Sequence, residues 1–183
     1  LKSVHDAGYL HGDVHAGNFL IRDGRVCLID FGLTRPVRIA KKEESKYEEG
    51  GVVLYMPPEY VRRVFNGRKG FWGSVAGEIY SCAVILYFLF TKRMPYTWKY
   101  YREEYMKCIL NQPPLSFEEN GRTPWSELEV VLQRALAKRK KDRFASMGHF
   151  LKTLKKVHLP DAADENPFLE EVTDTQAERE GDR

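Results

Sequence analysis

Residues 78–90 read Glu-Ile-Tyr-Ser-Cys-Ala-Val-Ile-Leu-Tyr-Phe-Leu-Phe, a run that is apolar on nearly every helical face. A helix of that kind has to be covered on all sides. A bilayer does not cover it, because spanning takes about 20 consecutive apolar residues. The segment therefore predicts a central helix buried all round, with the other elements packed around it. At 183 residues the chain fits one ordinary domain. Its 43% apolar and 30% charged residues are a globular balance that excludes an intrinsically disordered chain.

The rest of the pattern supplies those elements. The first ten residues read as the last turns of a helix, with Gly8 as its C-terminal cap. Phe19-Leu20-Ile21 and Val26-Cys27-Leu28-Ile29 flank Asp23-Gly24, the dipeptide of a two-residue type I′ hairpin turn. With that turn Arg22 faces Arg25, Phe19 faces Leu28, and Asn18 faces Ile29, which brings Asn18 beside Asp30. Cys27, opposite Leu20, reads as a small buried hydrophobe. The polar stretch from Gly32 to Gly51 has no periodicity and reads as a mobile surface loop. Trp98, Tyr101, Tyr105 and Ile109 recur at helical spacing. So do Trp125, Leu128, Leu132, Ala135 and Leu136, behind Thr123 as N-cap and Pro124 at the first helical position. Ser146 caps a last amphipathic helix with Met147, Phe150, Leu151 and Leu154. The aromatic stripes are expected in the core. The fold class predicted is mainly α with one small β-hairpin, a body over 1–157 and an acidic, disordered tail over 158–183.

The net charge of +3 conceals an asymmetry: residues 161–183 carry −7 and residues 1–160 carry +10. A basic body suits an anionic ligand such as a nucleotide. Its runs, Arg35 to Lys42, Arg62 to Lys69 and Lys138 to Arg143, read as solvated surface charge. They lack interleaved aromatics and any nucleic-acid motif, so no nucleic-acid partner is expected. The three cysteines, Cys27, Cys82 and Cys108, show no C-x-x-C spacing, which predicts neither disulfides nor zinc and sets a reducing, cytoplasmic location as the expectation. His5, His11 and His15 lack a zinc-helix spacing. No signal peptide or membrane segment is read.

Three oxygen-bearing groups stand out, Asp13, Asn18 and Asp30, in the strings His11-Gly12-Asp13-Val14-His15-Ala16-Gly17-Asn18 and Asp30-Phe31-Gly32. Phosphoryl transfer asks a protein for positioning and charge neutralisation around phosphates. Asp13 suits a carboxylate that accepts the attacking hydroxyl's proton. Asn18 and Asp30 suit Mg²⁺, which prefers hard oxygen ligands.

These strings resemble the eukaryotic-type protein kinase superfamily, specifically its C-terminal lobe, over residues 1–157. His11 to Asn18 resembles H-R-D-x-x-x-x-N with Gly12 for Arg, and Asp30-Phe31-Gly32 matches D-F-G. Tyr55-Met56-Pro57-Pro58-Glu59 resembles Y-M-A-P-E, Glu78-Ile79-Tyr80-Ser81 resembles D-x-W-S, Arg93-Met94-Pro95-Tyr96 resembles G-x-x-P-F, and Asp142-Arg143-Phe144 resembles the late D-R-P segment. The resemblance implies ATP as co-substrate with Mg²⁺, a protein serine or threonine hydroxyl as acceptor, and a Glu59–Arg143 ion pair. It also implies that His11 packs on Phe31. Asp13 would be the catalytic base, with Asn18 and Asp30 holding metal and nucleotide.

The departures from the family are specific. No G-x-G-x-x-G and no V-A-I-K strand precede the catalytic loop, so the chain reads as a fragment without the N-terminal lobe and inactive by itself. His15 stands where serine/threonine kinases carry lysine, and Val52 where they carry threonine. Two other function classes remain open at this point. One is a pseudokinase or scaffold module. The other is a small-molecule or lipopolysaccharide-sugar kinase, whose loops resemble H-G-D-x-H-x-G-N, as do those of lanthionine-synthetase kinase domains.

Overall fold

The computed structural model describes residues 1–38, 51–67 and 73–158. The expected mobile loop falls largely outside them, as does nearly all of the acidic tail. The described chain is mainly helical, with two small antiparallel sheets. In order it forms α1 (Lys2–Asp6), β1 (Tyr9–Leu10), β2 (Phe19–Arg22), β3 (Arg25–Leu28), β4 (Arg35–Pro36), α2 (Pro58–Phe65), α3 (Val75–Thr91), α4 (Arg102–Asn111), α5 (Ser126–Ala135) and α6 (Met147–Leu154).

Helix α3 is the centre. Ser74 caps its start by accepting the Gly77 N–H (3.0 Å), and Lys92 ends it in the left-handed conformation (φ +56°). Ile79, Tyr80, Ala83 and Val84 have no exposed surface and join residues of α2, α4, α5 and α6 in one core. Burial all round holds for the first turns only. Phe88 and Leu89 are exposed near the helix's C-terminal end, where Phe88 lines an open cleft with Leu54, Met94 and Trp98.

The hairpin forms in the expected register: Phe19 pairs with Leu28, Leu20 with Cys27, Ile21 with Val26 and Arg22 with Arg25. Asp23 (φ +51°) and Gly24 (φ +71°) both take the positive φ that a type I′ turn demands. Cys27, however, is exposed, as are Leu20, Ile21 and Val26. The hairpin stands off the body, so its apolar side chains are not buried by it. A second pairing, Tyr9 with Pro36 and Leu10 with Arg35, joins segments too short for any periodicity to show. It carries Arg35 into the interior at 2% exposure, against the reading of that basic run as surface.

Other boundaries move for local reasons. Helix α1 ends at Ala7, and Gly8 follows it with φ +84°. The N-cap of α5 is Trp125, not Thr123, because the Glu129 carboxylate reaches back to accept the Trp125 N–H (3.1 Å) and the Phe117 N–H (3.0 Å). Helix α4 begins only at Arg102, which leaves Trp98 and Tyr101 outside the core while Tyr105 and Ile109 enter it. Ser146 caps α6 as expected, accepting the His149 N–H (3.1 Å). No helix among the described residues is long and apolar enough to cross a membrane.

Candidate active site

The loop 11–18 is anchored at both ends. Buried His11 approaches the Ile29 carbonyl oxygen with Nε2 (2.9 Å) and lies edge-on to Phe31, ring centroids 5.0 Å apart. Its Nδ1 accepts the Asp13 N–H at 3.4 Å, so Nε2 carries the proton and donates. Gly12 follows with φ +92°, and a Cβ there would sit 2.1 Å from the Leu33 carbonyl oxygen. A side chain such as the arginine of the family motif does not fit this backbone without displacing Leu33. The Gly12 N–H donates to Glu78 Oε1 (2.7 Å), and Glu78 Oε2 lies 2.6 Å from His5 Nε2. A single carboxylate from α3 thus fastens both the loop and α1. Sequence comparison places Glu78 at the family's aspartate, but gives no hint of His5. The available signal was the lone acid in an apolar helix, since a buried charge requires partners.

Asn18 lies at the far end of the loop, buried, and its Nδ2 donates to the Asp13 carbonyl (2.8 Å) and to Asp13 Oδ2 (3.4 Å). Its carbonyl accepts the Ile29 N–H (3.0 Å). Hence the hairpin delivers Asp30 beside Asn18, as the register requires. Asp30 itself turns into the left-handed region (φ +58°), and its Oδ1 accepts the Gly32 N–H (3.2 Å). Asp and Asn tolerate this conformation better than other non-glycine residues, partly through such local hydrogen bonds. Asp13, Asn18 and Asp30 are therefore gathered at the open end of one hairpin. Asp13 faces a cleft lined also by Val14, Gly51, Tyr55 and Met56.

Away from the loop, Arg143 ties α2 to the start of α3 and to the segment after α5. Its guanidinium donates to Glu59 Oε1 (3.0 Å) and Oε2 (2.7 Å), and to the carbonyls of Ala76, Ala137 and Lys138. Ser81 Oγ donates to the Tyr55 carbonyl (2.7 Å), which ties the segment before α2 to the central helix. Burial pushes the Tyr55 hydroxyl pKa up.

A family model for the protein kinase domain matches residues 1–155. The chain belongs to the protein kinase domain family. Among curated relatives, it is similar to the dual specificity protein kinase Ttk of Danio rerio, 34% identical over 97 residues, covering 52% of this chain and 10% of that protein. The dual specificity protein kinase TTK of Mus musculus is 27% identical over 146 residues, 78% of this chain and 17% of that protein. The serine/threonine-protein kinase PknL of Mycobacterium tuberculosis is 37% identical over 102 residues, 53% of this chain and 23% of that protein. The chain thus spans between 10% and 23% of the length of these relatives.

Proposed function

We propose that the full-length protein transfers the γ-phosphoryl group of ATP to a serine or threonine hydroxyl of a protein substrate, with Asp13 as the base. The observation that carries this reading is the gathering of Asp13, Asn18 and Asp30 by the hairpin register. In the reaction the substrate oxygen bonds to the γ-phosphorus, the bond from that phosphorus to the bridging oxygen breaks, and ADP leaves with the electron pair. The hydroxyl proton passes to Asp13. The donor set fits Mg²⁺: the Asn18 amide uses its nitrogen on Asp13, leaving its oxygen as a ligand, and Asp30 keeps Oδ2 beyond the oxygen given to Gly32. Bound there, the metal would neutralise phosphate charge. Asn18 and Asp30 would hold it, and Asn18 would hold Asp13 in place.

A protein acceptor, rather than a small molecule, is supported by the Glu59–Arg143 pair and by the names of the relatives. The three free cysteines, Cys27 among them on the surface, are compatible with a reducing cytoplasmic setting.

The test is phosphate transfer from labelled ATP to a protein substrate, followed by phosphoamino-acid analysis, on the full-length protein. Asp30→Asn is expected to abolish turnover. Asp13→Asn should lower kcat by about 10²–10⁴ while nucleotide binding persists. Wild-type transfer by Asp13→Asn overturns the assignment of the base. Label found only on small molecules overturns the protein acceptor.

A further inference from the structure

The two carboxylate oxygens of Asp13 have different surroundings. Oδ2 lies 3.4 Å from Asn18 Nδ2 and 3.4 Å from His15 Nε2. Oδ1 looks the other way, toward Gly51, where a Cβ built on that glycine would be 3.7 Å from it. His15 is held for this contact from its opposite nitrogen, because Nδ1 accepts the Gly17 N–H (3.1 Å). A ring nitrogen that accepts carries no proton, so the proton sits on Nε2, the nitrogen turned to Asp13. Gly17 leaves room for the ring. A Cβ there would come within 3.0 Å of His15 Cε1 and 3.1 Å of Nδ1, closer than side chains settle without displacement. On its other side the imidazole lies against Tyr55, ring centroids 6.1 Å apart. The spacing His15-Ala16-Gly17-Asn18 thus builds a fixed N–H donor beside the carboxylate.

We infer that His15 is a positioning residue for Asp13: its Nε2–H, with the Asn18 amide, holds Oδ2, and so leaves Oδ1 as the oxygen that receives the substrate proton. This rests on the phosphoryl-transfer reading above. At 3.4 Å the two groups face each other without the alignment of a formed hydrogen bond, and catalytic contacts are often long or poorly aligned before substrate closes the site. The duller role for His15 is capping, since it precedes the 3₁₀ turn Ala16–Asn18 and accepts from Gly17. The two roles use different nitrogens, and this separates them.

His15→Ser keeps a side-chain oxygen able to cap the turn but has no group that reaches Asp13. In the full-length protein it should melt like wild type, bind MgATP with unchanged Kd, and lose kcat about tenfold to a hundredfold at unchanged KM for ATP. Gly17→Ala, which displaces the ring without touching Asp13, should lower kcat less, and should lower it no further in the His15→Ser background. A wild-type kcat for His15→Ser overturns the inference, as do additive losses in the double variant. An inactive wild-type protein would instead refute the phosphoryl-transfer reading, so the two failures are told apart.

Discussion

Removing either partner of the Glu59–Arg143 pair should destabilise the domain, and the geometry makes the two losses unequal. The Arg143 side chain has no exposed surface and Glu59 retains 18%. Glu59→Ala removes two charge-assisted hydrogen bonds, at 3.0 and 2.7 Å, each of the kind worth about 1.5–3 kcal/mol. It leaves the guanidinium buried but still donating to the Ala76, Ala137 and Lys138 carbonyls. Breaking a buried pair costs about 3–5 kcal/mol, and Glu59→Ala belongs at the lower end because those carbonyls remain. Arg143→Ala strands three carbonyls and the carboxylate, and removes the guanidinium from the Tyr80 ring it overlies at 5.0 Å, so it belongs at or above the upper end. With about 2–4 °C of Tm per kcal/mol in a domain of this size, the variants should melt about 6–20 °C below wild type. Thermal denaturation followed by circular dichroism on the full-length protein reads this directly. Variants that melt with wild type refute the pairing's role. A Glu59→Ala loss larger than that of Arg143→Ala refutes the accounting by hydrogen bonds.

Three further outcomes are expected. Gly12→Ala should lower stability by more than about 1 kcal/mol, since the new Cβ meets the Leu33 carbonyl oxygen at 2.1 Å on a φ of +92°; an unchanged urea midpoint would refute it. With Gly12 where the kinase pattern carries arginine, that position offers no cation to a phosphate on the 32–51 loop, so in the full-length protein phosphatase treatment or the Thr34→Ala, Ser45→Ala, Tyr47→Phe triple variant should leave kcat nearly intact; a hundredfold loss, about 2.7 kcal/mol of barrier, refutes this. Burial, helped by the Arg143 charge, lowers the Lys138 pKa to about 7, so above that pH the unfolded state binds the extra proton and stability should rise with pH. Burial raises Cys82 to about 11 and Tyr96 to about 12, and stability from these groups falls away as pH climbs past their unfolded values. The Lys138 slope is therefore read between about pH 7 and 9, and Lys138→Met should flatten it; an identical slope in that variant refutes the assignment.

Much of the candidate site was legible because it is local. The Asp23-Gly24 turn sets the hairpin register, and the register alone carries Asn18 to Asp30 across one pair of strands. His11 against Phe31 and Arg143 against Glu59 were legible only through resemblance, since 84 positions separate the latter pair. His5 on Glu78 was legible in neither way, because a histidine in a short helix announces nothing about a carboxylate 73 positions later.

By itself the sequence determined that segments within α1, α3, α4, α5 and α6 are helical, though not α2. It also determined where the hairpin turns, and that the apolar run around Ile79 must lie at the centre. Those outcomes depend on periodicity, turn chemistry and the cost of wetting apolar surface, all of which act over a few residues. Tertiary structure alone decided that Cys27, Trp98 and Tyr101 are uncovered, that Arg35 is buried, and that Gly12 is held in a conformation closed to its family's arginine. An apolar pattern says which face of an element seeks cover. Whether another element arrives to cover it, or a distant carbonyl arrives to crowd it, is set by how the chain closes on itself.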